Sequence, residues 1–211
     1  FQAKIDFEDL QPELISKFET YLRASMGNKI NTIASNLKVL RTALGWALRQ
    51  GKLKSNPFDN ISIKQEDVDR GFLSIEEINL LQSFEENQNY IQGASRDIFL
   101  FCVQTGLRIG DALCLRPKDI LFQDGSNYIS IVARKTNDLF TLKLTSKANA
   151  IVSQYLDSNK KYVFPFLNRR NTDNELNLHH SMSASTTLIN KNLKLIAKKV
   201  GVNKQISTHI A

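Results

Sequence analysis

At 211 residues, 42% hydrophobic and +7 in formal charge, the chain has room for two small domains with real cores. No apolar run approaches the length of a membrane span, Phe1 opens no signal-peptide pattern, and the two cysteines fit no metal motif. A soluble protein of the reducing cytoplasm is therefore expected, with its two thiols buried, and its first residue, not being methionine, is expected to lie inside a longer chain.

Charge is segmented along the chain. Residues 20–60 carry seven bases and one acid, residues 61–130 six bases and eleven acids, and residues 131–211 thirteen bases and four acids. Two basic blocks flanking an acidic one suit a protein that grips a polyanion with two surfaces, because neutralised phosphates release counterions. They equally suit a lysine-rich surface that binds nothing.

Gln11-Pro12-Glu13 opens a helix, with proline at its first turn and an acid at its positive end, and Leu14, Phe18, Tyr21 and Leu22 fall on one face. A second helix begins at Asn31-Thr32. Ile33, Leu37, Leu40, Leu44 and Leu48 recur in it at helical spacing, with Lys38, Arg41 and Arg49 interleaved, until Gly51 closes it. Trp46 is read as core, and Lys29, Lys38, Arg41 and Arg49 are candidate phosphate contacts by composition. Asn56-Pro57-Phe58 stops the helical run. Residues 61–70 lose periodicity and gather charge, as an interdomain linker would. Ser74-Ile75-Glu76-Glu77 is a capping box opening a further helix, with Ile78 and Leu81 inward. Arg96 to Gln104 is apolar on nearly every side and reads as a central helix.

That central helix should end through Gly106 in the left-handed cap position, with Asp111 to Leu115 beginning the next. Arg108 then sits in the corner, where a guanidinium can grip a phosphate through two parallel hydrogen bonds while Asp111 orients it from behind. Seen alone, Arg108 is better read as an ordinary cation at a helix C-terminus beside a surface acid. Tyr128 to Val132 and Phe140 to Leu144 alternate apolar and polar residues around Asn137-Asp138, which predicts a β-hairpin with Lys135-Thr136 at its tip. Ala148 to Leu156 is a helix, Val163 to Phe166 a short buried stretch, and Asn168 to Asn174 a loop. Thr187 to Val200 is an amphipathic helix with Lys191, Lys194 and Lys198 on its wet side. His179-His180 lacks a partner at metal spacing, so no metal site is expected.

The string Thr105 to Ile120, TGLRIGDALCLRPKDI, closely resembles the first arginine box of the tyrosine recombinases, the phage-integrase family: TGLR, a small residue, an acid, then an LxLxxxDI tail. Lys135 falls where that family carries a hairpin lysine. Ile206-Ser207-Thr208-His209-Ile210-Ala211 looks like the opening of its HxxR box, with His209 as the histidine. The NTI start of the second helix and the NPF exit resemble the family's core-binding domain. Gly110 stands where serine is commoner, and Lys143-Leu144 where a proline-leucine pair is usual.

The resemblance implies a mostly α fold with a small β-hairpin or sheet (α+β). It divides the chain into a helical core-binding domain (1–60), a linker (61–70) and a catalytic domain (71–211). It implies a site-specific recombinase or integrase of a mobile element, acting on double-stranded DNA as a homotetramer at the bacterial nucleoid. No metal or other cofactor takes part, because a tyrosine attacks the phosphodiester to give a 3′-phosphotyrosyl link and a free 5′ hydroxyl. Arg108 would balance charge on the non-bridging oxygens, Lys135 would protonate the leaving oxygen, His209 would assist, and Asp111 would support Arg108, with Arg134 and Thr136 as further DNA contacts. The family's second arginine and tyrosine nucleophile are expected after Ala211, since all five tyrosines precede His209, so residues 1–211 alone are expected to be inactive in cleavage. The alternatives are a non-catalytic DNA-binding module or accessory factor and, from the same chemistry, a type IB topoisomerase.

Overall fold

Pro12, whose missing N–H is no loss in a first turn, starts α1 (Pro12–Ala24). The computed structural model describes residues 5–67, 71–85 and 89–210, in two units that divide between Asp69 and Arg70. In the first unit, α1 pairs with α2 (Ile30–Arg49). Ile15, Leu22, Ile33, Leu37 and Leu44 meet there around the fully buried Phe58.

Three expectations for this unit need correction. Ile15, which the expected face left out, is buried beside Leu22 on α1's inner face, whereas Tyr21 is 38% exposed. Trp46 is 59% exposed, because it lies two residues past the buried Leu44 and so about 200° round the helix, away from the core. The charged stretch after Asn60 is not free chain. Ile61 and Ile63 pack on the small core, Asn31 exchanges two hydrogen bonds with the backbone of Glu66 (2.8 and 3.0 Å), and Lys38 Nζ donates to Gln65 Oε1 at 2.6 Å. Alternating isoleucines among polar residues hid this strap from a search for helical period. Residues 68–70 of the expected linker lie outside the described residues, as does Phe1.

The second unit begins with α3 (Ile75–Gln82), whose capping box forms as expected: Ser74 Oγ accepts from the Glu77 N–H at 3.3 Å, and the Ser74 N–H donates to Glu77 Oε2 at 2.7 Å. At its centre is α4 (Tyr90–Thr105), which buries Ile98, Phe99 and Phe101 completely and packs against α3, α5 (Ile109–Cys114), α6 (Ser146–Tyr155) and α7 (Glu175–Val200). Asp97, a buried carboxylate in this core, takes Arg96 Nε at 2.7 Å and the Tyr155 hydroxyl at 2.7 Å, tying α4 to α6.

The expected hairpin is part of a three-stranded antiparallel sheet, β1 (Ile120–Gln123), β2 (Ser126–Val132) and β3 (Leu139–Lys143), in that order. Asp124 and Gly125, both at positive φ (49° and 70°), make the two-residue turn that pairs Gln123 with Ser126. Ile129, at 0% exposure, faces the core from the middle strand.

The last helix is much longer than its apolar pattern suggested. Asn174 caps it, accepting from the Asn177 N–H at 2.8 Å, and it starts at Glu175, directly after the expected loop and well before Thr187, where the apolar pattern placed its beginning. Its first buried positions include Ser181 and Ser185, and Asn192 lies further along, so polar residues interrupt the stripe. Each is satisfied: Ser181 by the Asn171 carbonyl (2.7 Å), Ser185 by the Phe166 carbonyl (3.3 Å) and Asn192 by Ser95 Oγ (2.9 Å).

Candidate active site

Gly106, at φ 68°, ends α4 in the left-handed region and donates its N–H to the Cys102 carbonyl at 2.8 Å. Leu107 then plugs into the core at 7% exposure, which turns Arg108 outward as the residue capping α5. The Arg108 carbonyl accepts the N–H groups of Asp111 (2.9 Å) and Ala112 (3.0 Å), so the backbone of the arginine corner is fixed. Its guanidinium is exposed and, among the described residues, forms no ion pair or hydrogen bond.

Asp111 is 6% exposed, and its role differs from the expected one. Its Oδ1 accepts the backbone N–H of Arg134 at 3.0 Å, so it anchors the sheet's β2–β3 turn rather than the Arg108 side chain. The turn itself is closed by Ala133 N–H to the Asp138 carbonyl and Asn137 N–H to the Ala133 carbonyl, each 2.8 Å, with Asn137 at φ 60°. Lys135 and Thr136 are exposed at its tip. The Arg134 guanidinium meets Glu175, the first residue of α7, at 3.1 Å.

After α7 the chain turns at Gly201 (φ 80°), buries Val202 and Ile206, and holds Thr208 through an N–H to Asn190 Oδ1 bond of 2.8 Å. His209 emerges exposed beside it. Arg108, Asp111, Lys135 and His209 thereby line one open cleft of about 500 Å3, with Arg134 in its wall. With Arg108, Arg134 and Lys135 against a single buried carboxylate, the cleft is built for an anion. None of the five tyrosines lines it.

Several cleft residues carry no signal in the sequence. Met182 reaches it from α7, and its methyl would lie 3.1 Å from a Cβ at Gly110, so the glycine leaves room for the methionine. The Thr208 hydroxyl is the one buried side-chain polar atom without a hydrogen-bond partner among the described residues. Cys114 touches Met182 sulfur to sulfur at 3.7 Å, its thiol pushed up by burial and pulled back by Arg134. Cys102 is pushed up to about 12, by burial first and the charge of Asp111 second.

The composition-based candidates lie in the other unit. Lys29 precedes α2, Arg41 and Arg49 stand exposed on it, and Lys38 is partly engaged by Gln65. His179 and His180 are exposed on α7, and no cluster able to hold a metal occurs among the described residues. No helix there is long and apolar enough to cross a membrane.

Comparison with known proteins gives matches over both units. Residues 1–65 match the model of the phage integrase SAM-like domain, and residues 72–211 that of the phage integrase family. The tyrosine recombinase XerC of Oceanobacillus iheyensis is 26% identical over 212 residues, covering 99% of this chain and 64% of that protein. The integrase of Escherichia phage P2 is 28% identical over 103 residues, 49% of this chain and 27% of its own length. Among solved structures, the XerH site-specific recombinase in a post-cleavage complex with palindromic difH substrate superposes with a TM-score of 0.71 at 16% identity, over 99% of this chain and 61% of that one. A lambda integrase (75–356) dimer bound to a COC′ core site gives 0.62 at 15% identity, over 99% of this chain and 81% of that one. These two likenesses are of fold. The chain spans less than two thirds of the length of the curated relatives it matches.

Proposed function

The chain belongs to the phage integrase family of tyrosine recombinases, and we propose from this premise that it carries the DNA-gripping and acid-base part of a site-specific recombinase. The substrate is duplex DNA, cut and rejoined through a 3′-phosphotyrosyl link with no metal or nucleotide. One observation carries the reading: Arg108, Lys135 and His209, far apart in sequence, line a single cationic cleft. Arg108 holds the non-bridging oxygens of the scissile phosphate, Lys135 delivers a proton to the departing 5′ oxygen, and His209 assists the phosphate or the proton. Asp111 acts through the β2–β3 turn, positioning Lys135.

The three assembled groups favour catalysis over a module that only occupies DNA. The phage SAM-like match over residues 1–65 and the likeness to the P2 integrase support an element-mobilising integrase; the likeness to a DNA-bound lambda integrase dimer supports more than one protomer on the site, and the tetramer is this reading's own extension of it. Because no tyrosine lines the cleft, the nucleophile is supplied from outside these 211 residues.

A nicked suicide substrate, which traps the covalent intermediate as its 5′ end diffuses off, tests this. Residues 1–211 should bind it and give no adduct, and the gene product read past Ala211 should give one. An adduct mapped to Tyr90, Tyr128 or another tyrosine present here would overturn the assignment.

A further inference from the structure

Arg134 and Asp111 also wall a second basin, of about 270 Å3, that adjoins the cleft. Resting on the recombinase reading, we propose that this basin seats a second phosphodiester of the bound DNA, held by Arg116 and Lys118. These two cations fill positions that the LxLxxxDI tail leaves open, so the motif gives them no role. Their backbone is rigidly placed. Leu115 is fully buried and its carbonyl accepts the Val163 N–H at 2.8 Å, Pro117 follows, and the Asp119 carboxylate takes the Arg116 N–H at 2.9 Å.

The charge balance points to an anion. Both carboxylates in the basin are committed to backbone N–H groups, Asp111 to that of Arg134 and Asp119 to that of Arg116. Among the described residues the side chains of Arg116 and Lys118 form no ion pair, and the Arg134 guanidinium is paired with a carboxylate that is itself 85% exposed. A guanidinium fork beside an ammonium suits a phosphodiester, whose two free oxygens share one charge. Such a contact carries no sequence information. It fixes the register of the strand, and so the placement of the scissile phosphate next door.

The two cysteines provide the test, because Cys114 lines this basin and is half-buried while Cys102 is buried in the core. The full chain is treated with a thiol alkylator at mildly alkaline pH, with and without a duplex of its recombination sequence, and labelling at each cysteine is followed by mass spectrometry. Cys102 should stay unlabelled throughout. With duplex at about ten times its Kd, Cys114 should be alkylated roughly tenfold more slowly. Arg116→Gln with Lys118→Gln should make log K less steep in log salt by about 0.9, the value of one phosphate, on specific and unrelated duplexes alike. Bound DNA that leaves Cys114 labelling unchanged, or a double variant with the parental salt slope, would overturn the second seat while leaving the recombinase reading intact. Failure of the parent chain to bind duplex at all would overturn that reading, and this inference with it.

Discussion

The carboxylate of Asp111 accepts the backbone N–H of Arg134 at 3.0 Å, across 23 residues of sequence, and so couples the arginine corner to the turn that carries Lys135. Arg108 and Lys135, the two cations proposed to meet one phosphate, are thereby mounted about a single buried carboxylate. Loss of that acceptor strands the turn rather than the arginine. Asp111→Ala should cost about 1–3 kcal/mol of stability in urea unfolding and speed amide exchange at Arg134, whereas Asp111→Asn, which keeps an acceptor oxygen, should recover most of both. Parental exchange at Arg134 in the alanine variant would show that the turn holds itself.

Glu175 occupies the guanidinium of Arg134 at 3.1 Å in a pair whose carboxylate is 85% exposed. An exposed pair of this kind contributes little to stability, so a DNA phosphate can displace the carboxylate easily. Glu175→Gln should leave unfolding unchanged and tighten duplex binding by about two- to fivefold at low salt, the gain fading as salt rises. Weaker binding by this variant would mean that the pair preorganises Arg134 for DNA instead of competing with it.

The Asp97 carboxylate, 4% exposed, depends on the Tyr155 hydroxyl at 2.7 Å for one of its partners. Tyr155→Phe removes a hydrogen bond to a buried charged group while conserving the ring that packs on Phe164. It should destabilise the chain by about 1.5–3 kcal/mol without altering DNA affinity. A stability change within error in thermal and urea unfolding would show that Arg96 alone satisfies the carboxylate.

How far these features could be read in advance depends on the range of the interaction behind them. The arginine corner was legible because a single local requirement, positive φ at Gly106, dictates it, and the α3 capping box because its partners are three residues apart. The β2–β3 turn was legible from alternation and Asn137, whereas β1, four residues long and largely exposed, gave no pattern of its own. The first turns of α7 were hidden because Ser181 and Ser185 stand at core positions, satisfied by carbonyls that only the fold brings near. The Glu175 partner of Arg134, the Met182 contact with Gly110, and the Asn31 clasp on Glu66 all bridge more than thirty residues. Nothing local encodes them. His209 carries no local signal either, and only its resemblance to a family box singled it out before the cleft put it beside Arg108 and Lys135.

Cys102 makes stability sensitive to alkaline pH. Its thiol is pushed up to about 12 from an ordinary 9.0 by burial and then by the charge of Asp111, so between those values the unfolded chain has released the proton that the native chain still holds. The native state then binds more protons, and stability falls as pH rises from about 9 toward about 12. Below 9 the thiol is protonated in both states and contributes no slope. Cys102→Ala should flatten the stability curve in that window by up to about 1.4 kcal/mol per pH unit relative to the parent, whatever the change in its baseline. Identical slopes for the two proteins would mean that the native thiol ionises near its ordinary value.

Lys135 stands exposed at the tip of a turn whose backbone is pinned by Asp111, in the same cleft as Arg108 and His209. A lysine there can act in two distinguishable ways: as a fixed positive charge on the phosphate, or as the donor of the proton that the departing 5′ oxygen requires. In a cleavage-competent protein containing these residues, Lys135→Ala removes both. Replacing the 5′ bridging oxygen of the scissile phosphodiester by sulfur separates them, because a thiolate leaves without protonation while the non-bridging oxygens and their charge are unchanged. General-acid catalysis commonly contributes about 10²–10⁴ in rate. Single-turnover cleavage by Lys135→Ala should therefore fall by about that range on the ordinary substrate and recover most of the deficit on the 5′-thio substrate, with Arg108→Ala equally impaired on both. An equal defect of Lys135→Ala on the two substrates would assign the lysine to phosphate binding and move the proton to another group in the cleft, of which His209 is the nearest in kind.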